Sequence, residues 1–248
     1  VPNESVSAEE LLARPPTPEA GVLRVSEIFE SLQGEGPSVG SPCLFLRLAL
    51  CNLSCDWCDT AYSWDLRRFA RQEVVHDFPL ADIVSRIVRS RRRRVVITGG
   101  EPLLQQPALG DLLRDLPPSL YLEVETNGTL LPTPELAARI DQWNVSPKLS
   151  NSGQALERRL VPAALERLRG TGRAWLKLVV GSDADLAEAS QLLDALHWPR
   201  DRVYMMPLAD NAQELGIRSR WLADACVRMD LRFSPRLHVD LWRGERGR

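Results

Sequence analysis

Short apolar runs recur along the chain from residue 43 onward, at 43–50, 95–98, 120–125, 143–146, 174–180 and 203–208. Most are continuous rather than alternating, the pattern of strands covered by helices on both faces, as in a parallel sheet. Between them the spacing changes to the helical period. Leu80, Ile83, Val84, Ile87 and Val88 fall at i, i+3, i+4, i+7 and i+8, and Leu186, Ala189, Leu192, Leu193 and Leu196 form a second such face. Six strand-helix units within one composition regime predict one α/β domain over residues 22–248, its strands all parallel, as an open sheet or a partial (β/α)6 barrel. Both architectures gather active sites at the carboxyl ends of the strands. Residues 63–78 fit neither period and read as an insertion. Residues 1–21, acidic and Pro-rich, read as an N-terminal extension.

Composition narrows the function classes. With 248 residues, 44% of them hydrophobic, the chain can bury a full core without disulfides. Thirty-one basic against thirty-three acidic residues leave a net charge of −2, so no global field draws in nucleic acid or an anionic membrane, and neither is expected as a partner. The longest apolar stretch, residues 43–51, contains Arg47 and is far shorter than the roughly 20 residues of a membrane span. The N-terminal residues lack the basic and apolar regions of a signal peptide. The arginine run at 91–94 follows an amphipathic helix and reads as a solvated helix end.

Candidate chemistry begins at the cysteines. Of five, Cys51, Cys55 and Cys58 crowd into eight residues after the first strand, a spacing typical of thiolate ligands in a reducing compartment, which makes the cytosol the expected location. A structural zinc site needs four ligands and the chain offers no second CxxC pair, so a zinc-binding interaction module is the alternative. Three cysteines on a 4Fe-4S cluster leave one iron open to a small molecule. Cys43 and Cys226 fall on strand and helix patterns as core residues. Gly99, Gly100 and Glu101, directly after a strand, are either a plain turn or a close approach of backbone to ligand. Glu125, also at a strand end, is a solvated carboxylate or an acceptor for ribose hydroxyls. Arg47 is a charge inside an apolar strand, which predicts a pairing, either structural or with a substrate carboxylate. Lys148 is one of two lysines beside twenty-nine arginines, a hint that a compact point charge is wanted there. Met206 either lines a ligand or belongs to the core.

The CxxxCxxC loop after the first strand of an α/β chain resembles the radical S-adenosylmethionine superfamily. The segments around Gln33–Gly36, Cys58-Asp59-Thr60, Thr98–Pro102, Glu125–Gly128, Ser146-Pro147-Lys148 and Pro235–His238 narrow the resemblance to its 7-carboxy-7-deazaguanine synthases. The resemblance implies a 4Fe-4S cluster held by Cys51, Cys55 and Cys58, whose open iron takes S-adenosylmethionine and whose electron releases a 5'-deoxyadenosyl radical. It assigns S-adenosylmethionine to Gly99, Gly100, Glu101, Glu125, Ser146, Pro147, Lys148, Met206 and Pro207. It assigns the pterin to Leu32, Gln33, Gly34, Glu35, Arg47, Thr98 and His238, and Mg2+ to Thr60, although unaided chemistry would choose Asp59. Glu125 and Thr60 are the expected catalytic residues. The implied reaction is a lyase step from 6-carboxy-5,6,7,8-tetrahydropterin to 7-carboxy-7-deazaguanine and ammonia, for queuosine or related deazapurines. A homodimer and an external one-electron reductant such as flavodoxin or ferredoxin come with it. A glycyl-radical activase is the alternative within the superfamily; it should lack the Gln33–Gly36 reader and Thr60.

Overall fold

Apolar runs along this chain become strands because helices take up one face and a shared concave interior takes up the other. The computed structural model describes residues 20–209 and 211–248, so the expected N-terminal extension lies outside the described residues apart from Ala20 and Gly21. The strands are β1 (Val22–Leu32), β2 (Pro42–Leu48), β3 (His76–Pro79), β4 (Arg94–Gly99), β5 (Tyr121–Thr126), β6 (Gln142–Val145), β7 (Ala174–Val180), β8 (Val203–Pro207) and β9 (Arg232–Phe233). They form one sheet in the order β3-β1-β2-β4-β5-β6-β7-β8-β9. Its two end strands do not pair with each other among the described residues, so the barrel is partial.

From β2 through β9 every pairing is parallel, as expected. The expectation that all strands are parallel fails at one edge, where β1 runs antiparallel to β2 and β3 antiparallel to β1. The reason is connection length: residues 33–41 suffice for a hairpin but not for the crossover that a parallel pair needs. The unread segment 63–78 supplies β3 and a short helix, α1 (Arg71–Val74).

Helix α2 (Leu80–Ser90) buries Leu80, Ile83 and Ile87, while Val88 at the end of the same stripe is 52% exposed. Arg91 in left-handed conformation (φ 58°) ends it. Arg92 then pairs with Glu30, and Arg94 turns inward to Glu123, so the arginine run is only partly solvated. Helix α3 (Asp183–Leu196) starts where Ser182 Oγ accepts from the Asp185 amide at 3.2 Å.

The strands also carry an alternation that their apolar content conceals. Leu44, Leu46, Ile97, Leu122, Val124, Trp143, Val145, Leu176 and Leu178 belong to the main core. The positions between them carry Arg47, Thr98, Glu123, Glu125, Gln142, Asn144 and Lys177, and a strand turns successive side chains to opposite faces. The polar set therefore shares the inner face. Burying so many polar groups is tolerable only if they pair with one another or with a ligand.

Candidate active site

The cysteine loop leaves β2 through Leu50, a non-glycine residue held at φ 77°. Its path is fixed by glycines on the neighbouring strand: a Cβ on Gly99 would stand 2.0 Å from the Leu48 carbonyl oxygen, and one on Gly100 2.0 Å from that of Leu50. The close approach these glycines permit is that of the cysteine loop itself. Asn127 at the end of β5 ties the loop down further, its side-chain amide donating to Asn52 Oδ1 at 2.9 Å. The Asn52 amide in turn donates to Thr129 Oγ1 at 2.7 Å.

Cys51, Cys55 and Cys58 are free thiols that line one cavity of about 560 Å3. The Leu53 amide donates to Cys51 Sγ at 3.4 Å and the Trp64 indole to Cys58 Sγ at 3.2 Å, contacts suited to thiolate sulfur. Burial pushes the Cys51 and Cys55 thiols up; Lys148 opposes this at Cys55. A metal must displace those protons to bind. Three thiols on one loop, lining one cavity, fall one protein ligand short of a closed zinc site and suit three corners of a cluster whose fourth iron stays open. Cys43 and Cys226 lie buried in the core, where burial raises their thiols to about 12 and about 11.

The same cavity carries polar side chains beside the thiols. Arg47 donates from Nε to Glu27 Oε2 at 3.2 Å while also lining the cavity, so the structural pairing exists and a face remains for a ligand. Tyr62 and Arg246 share the same Glu27, so two guanidiniums face one carboxylate. Gln33 donates from Nε2 to Glu123 Oε1 (2.7 Å) and Glu125 Oε1 (3.1 Å), and Thr98 Oγ1 donates to Glu125 Oε2 (2.7 Å). Glu123 is fully buried, raised by that burial, and held by Arg94 Nη1 at 2.7 Å. Glu35 is bound by Lys177 and approached by His238 and Arg236. Arg236 also donates to Asp59 on the cysteine loop and, at 2.6 Å, to the Ala209 carbonyl.

Comparison with known proteins places this arrangement. The radical SAM superfamily profile matches residues 48–179. The chain is 41% identical over 229 residues to the 7-carboxy-7-deazaguanine synthase of Pyrobaculum aerophilum, covering 91% of this chain and 97% of that protein. It is 40% identical to the enzyme of the same name from Hyperthermus butylicus, covering 88% and 92%. The chain belongs to the 7-carboxy-7-deazaguanine synthases of the radical SAM superfamily. The crystal structure of QueE from Escherichia coli superposes with a TM-score of 0.66 at 26% identity, covering 95% of this chain and all of that one. Membership of the superfamily brings a 4Fe-4S cluster and S-adenosylmethionine, and three free thiols on one loop, two of them met by N–H donors, fit the first.

Most residues expected at the site meet in the single cavity: Gln33, Glu35, Arg47, Thr60, Thr98, Gly99, Gly100, Glu125, Ser146, Lys148, Met206 and His238 all line it beside the cysteines. Leu32, Gly34, Glu101, Pro147 and Pro207 do not. Glu101, expected to meet an amino group, is 0% exposed; its oxygens accept from Leu103 N, Thr126 Oγ1 and Asn127 N, so it joins the ends of β4 and β5. Leu32 ends β1 opposite Pro42. Gly34 leaves room for His238, whose Nδ1 would lie 2.5 Å from an added Cβ. Pro147 follows β6 and Pro207 ends β8. Glu125 is hydrogen-bonded to Gln33 and Thr98, which places it with the residues expected to meet the pterin. Thr60 Oγ1 lies 3.7 Å from Cys58 Sγ, and Asp59 is already paired with Arg236. Sequence reasoning gave no role to Lys177 or Arg236, and named Asn127 only as part of the motif behind Glu125. Lys177 carried the signal that had singled out Arg47, a charge inside an apolar strand.

Proposed function

We propose that this chain is a carbon–nitrogen lyase that converts 6-carboxy-5,6,7,8-tetrahydropterin to 7-carboxy-7-deazaguanine and ammonia. The observation that carries this reading is one cavity lined both by the three-thiol loop and by Glu35 and Arg47. When bound, the cluster and S-adenosylmethionine supply a one-electron route to a carbon-centred radical. Gly99, Gly100, Ser146, Lys148 and Met206 lie beside the loop and are suited to holding the adenosyl and methionyl parts. Glu35 offers an acceptor to the N–H edge of a pterin, and Arg47 offers a cation to its carboxylate. The hydrogen-bonded chain Gln33–Glu125–Thr98 stiffens the cavity lining, so the ring carbon to be attacked can be held in one place.

Thr60 is the residue this reading gives to Mg2+, because Asp59 is engaged by a guanidinium while the Thr60 hydroxyl meets only sulfur. A homodimer, an external one-electron reductant and a cytosolic location belong to the same reading and rest on kinship; no helix among the described residues is long and apolar enough to cross a membrane. The test is anaerobic reconstitution with iron and sulfide, an absorption spectrum, and chromatography of the product formed from carboxytetrahydropterin. A brown chromophore and ammonia released in equal amount to deazaguanine are expected. A colourless zinc-loaded protein, or a cluster-bearing protein that leaves the pterin untouched, overturns the reading.

A further inference from the structure

Lys177 enters no expectation drawn from the sequence, yet it lines the cavity. It is one of only two lysines in the chain, and both line the same cavity. It lies on β7, 7% exposed, with its ammonium against Glu35 Oε2. Glu35 Oε1 is placed differently. Its nearest basic groups are His238 Nε2 at 3.9 Å and Arg236 Nε at 4.0 Å, both beyond hydrogen-bond reach. One carboxylate oxygen is therefore anchored and the other stays available in the cavity.

We propose that Lys177 is a positioning residue for substrate recognition: it anchors one oxygen of Glu35 so that the other meets the N–H edge of the pterin. This rests on the function proposed above. Three ionisable neighbours besides Lys177 face Glu35, namely Arg236 and His238 from the C-terminal segment and Asp59 from the cysteine loop. Arg236 is committed to Asp59 and to the Ala209 carbonyl, which leaves Lys177 as the group that fixes the carboxylate. An ammonium on a strand suits the task because it is compact and places its charge at one point. The pair also holds the Glu35 carboxyl down to about 2, against the pull of burial, so the free oxygen remains a pure acceptor.

The experiment measures binding of 6-carboxypterin, a fluorescent oxidised analogue that is not turned over, to the reconstituted enzyme with S-adenosylmethionine present. Lys177→Met and Glu35→Gln should each weaken Kd at least tenfold. The double variant should be no weaker than about the weaker single, because both changes remove one device; coupling of this kind is what a double-mutant cycle reads. Iron content and S-adenosylmethionine binding in Lys177→Met should match wild type, which a collapsed pocket would not allow. Lys177→Arg, which restores a cation opposite Glu35, should regain part of the affinity and keeps the test open if the Met variant folds poorly. An unchanged Kd in Lys177→Met, losses that multiply in the double variant, or no recovery in Lys177→Arg would overturn the assignment. If wild type itself does not bind 6-carboxypterin, the pterin reading fails, and the inference fails with it.

Discussion

At the scale of single residues, the five cysteines divide by position. Cys51→Ala, Cys55→Ala or Cys58→Ala should each abolish iron retention, measured as iron per chain after anaerobic reconstitution. Cys43→Ala and Cys226→Ala should keep iron near wild-type levels, since both thiols lie in the core. Glu35 gives a second residue-scale prediction. Its carboxyl is depressed from 4.5 to about 2 in the folded protein, so its contribution to stability is complete above about pH 5 and is lost as pH falls from 4.5 through 2. Glu35→Gln leaves Lys177 as an unpaired buried cation, a change that typically costs about 3 to 5 kcal/mol. Urea unfolding of both proteins should show that difference near neutral pH, shrinking steadily below pH 4.5; a gap that persists at pH 2 would place the ion pair elsewhere. For Thr60, the comparison is turnover against magnesium concentration. Thr60→Val should remove the stimulation by magnesium while the cluster persists, and Asp59→Asn should retain it.

At the scale of elements, the end of β4 and the entrance to the cysteine loop form one packed unit. Gly100→Ala would drive a methyl group into the Leu50 carbonyl, a backbone atom that cannot rotate away. The loop must then shift, and it carries Cys51 with it. Iron content of Gly100→Ala should fall several-fold while the far-ultraviolet spectrum remains that of an α/β protein, because the core strands lie outside the contact. Full iron loading in this variant would mean that the loop can seat the cluster from a displaced path. The same element view explains the hairpin edge: its first strand mixes polar and apolar residues without a clear period, and only pairing with β2 on one side and β3 on the other gives it a place.

At the scale of the whole molecule, the cavity draws on residues from Phe29 to Arg248, supplied by six of the nine strands, by the loops after them and by the C-terminal segment. A ligand there ties distant parts of the chain together, so it should stabilise the fold as a whole. Saturating S-adenosylmethionine at about 100 times its Kd should add about 2.7 kcal/mol to the reconstituted enzyme, read as a rise in Tm. The rise should vanish in Cys55→Ala, which has lost the iron. An equal rise in that variant would show that the molecule binds without the cluster.

Sequence alone determined the repeating strand-helix order, the thiolate loop and the residues around Glu35, Arg47 and Ser146 to Lys148. Each of these depends on spacing within a few positions or on a local motif. Tertiary structure decided which of them face one another. Glu101 was legible only as part of a strand-end motif, and the structure adds that its side chain joins the ends of β4 and β5, both oxygens meeting backbone and hydroxyl donors there. Lys177 looked like part of a core strand but meets Glu35, more than 140 residues away. The polar positions on β5, β6 and β7 were visible as letters, yet nothing local distinguishes an inward charge from an outward one. That distinction comes only when the sheet curves and its strands direct alternate side chains into one interior, where unpaired charges are costly and paired ones hold a site.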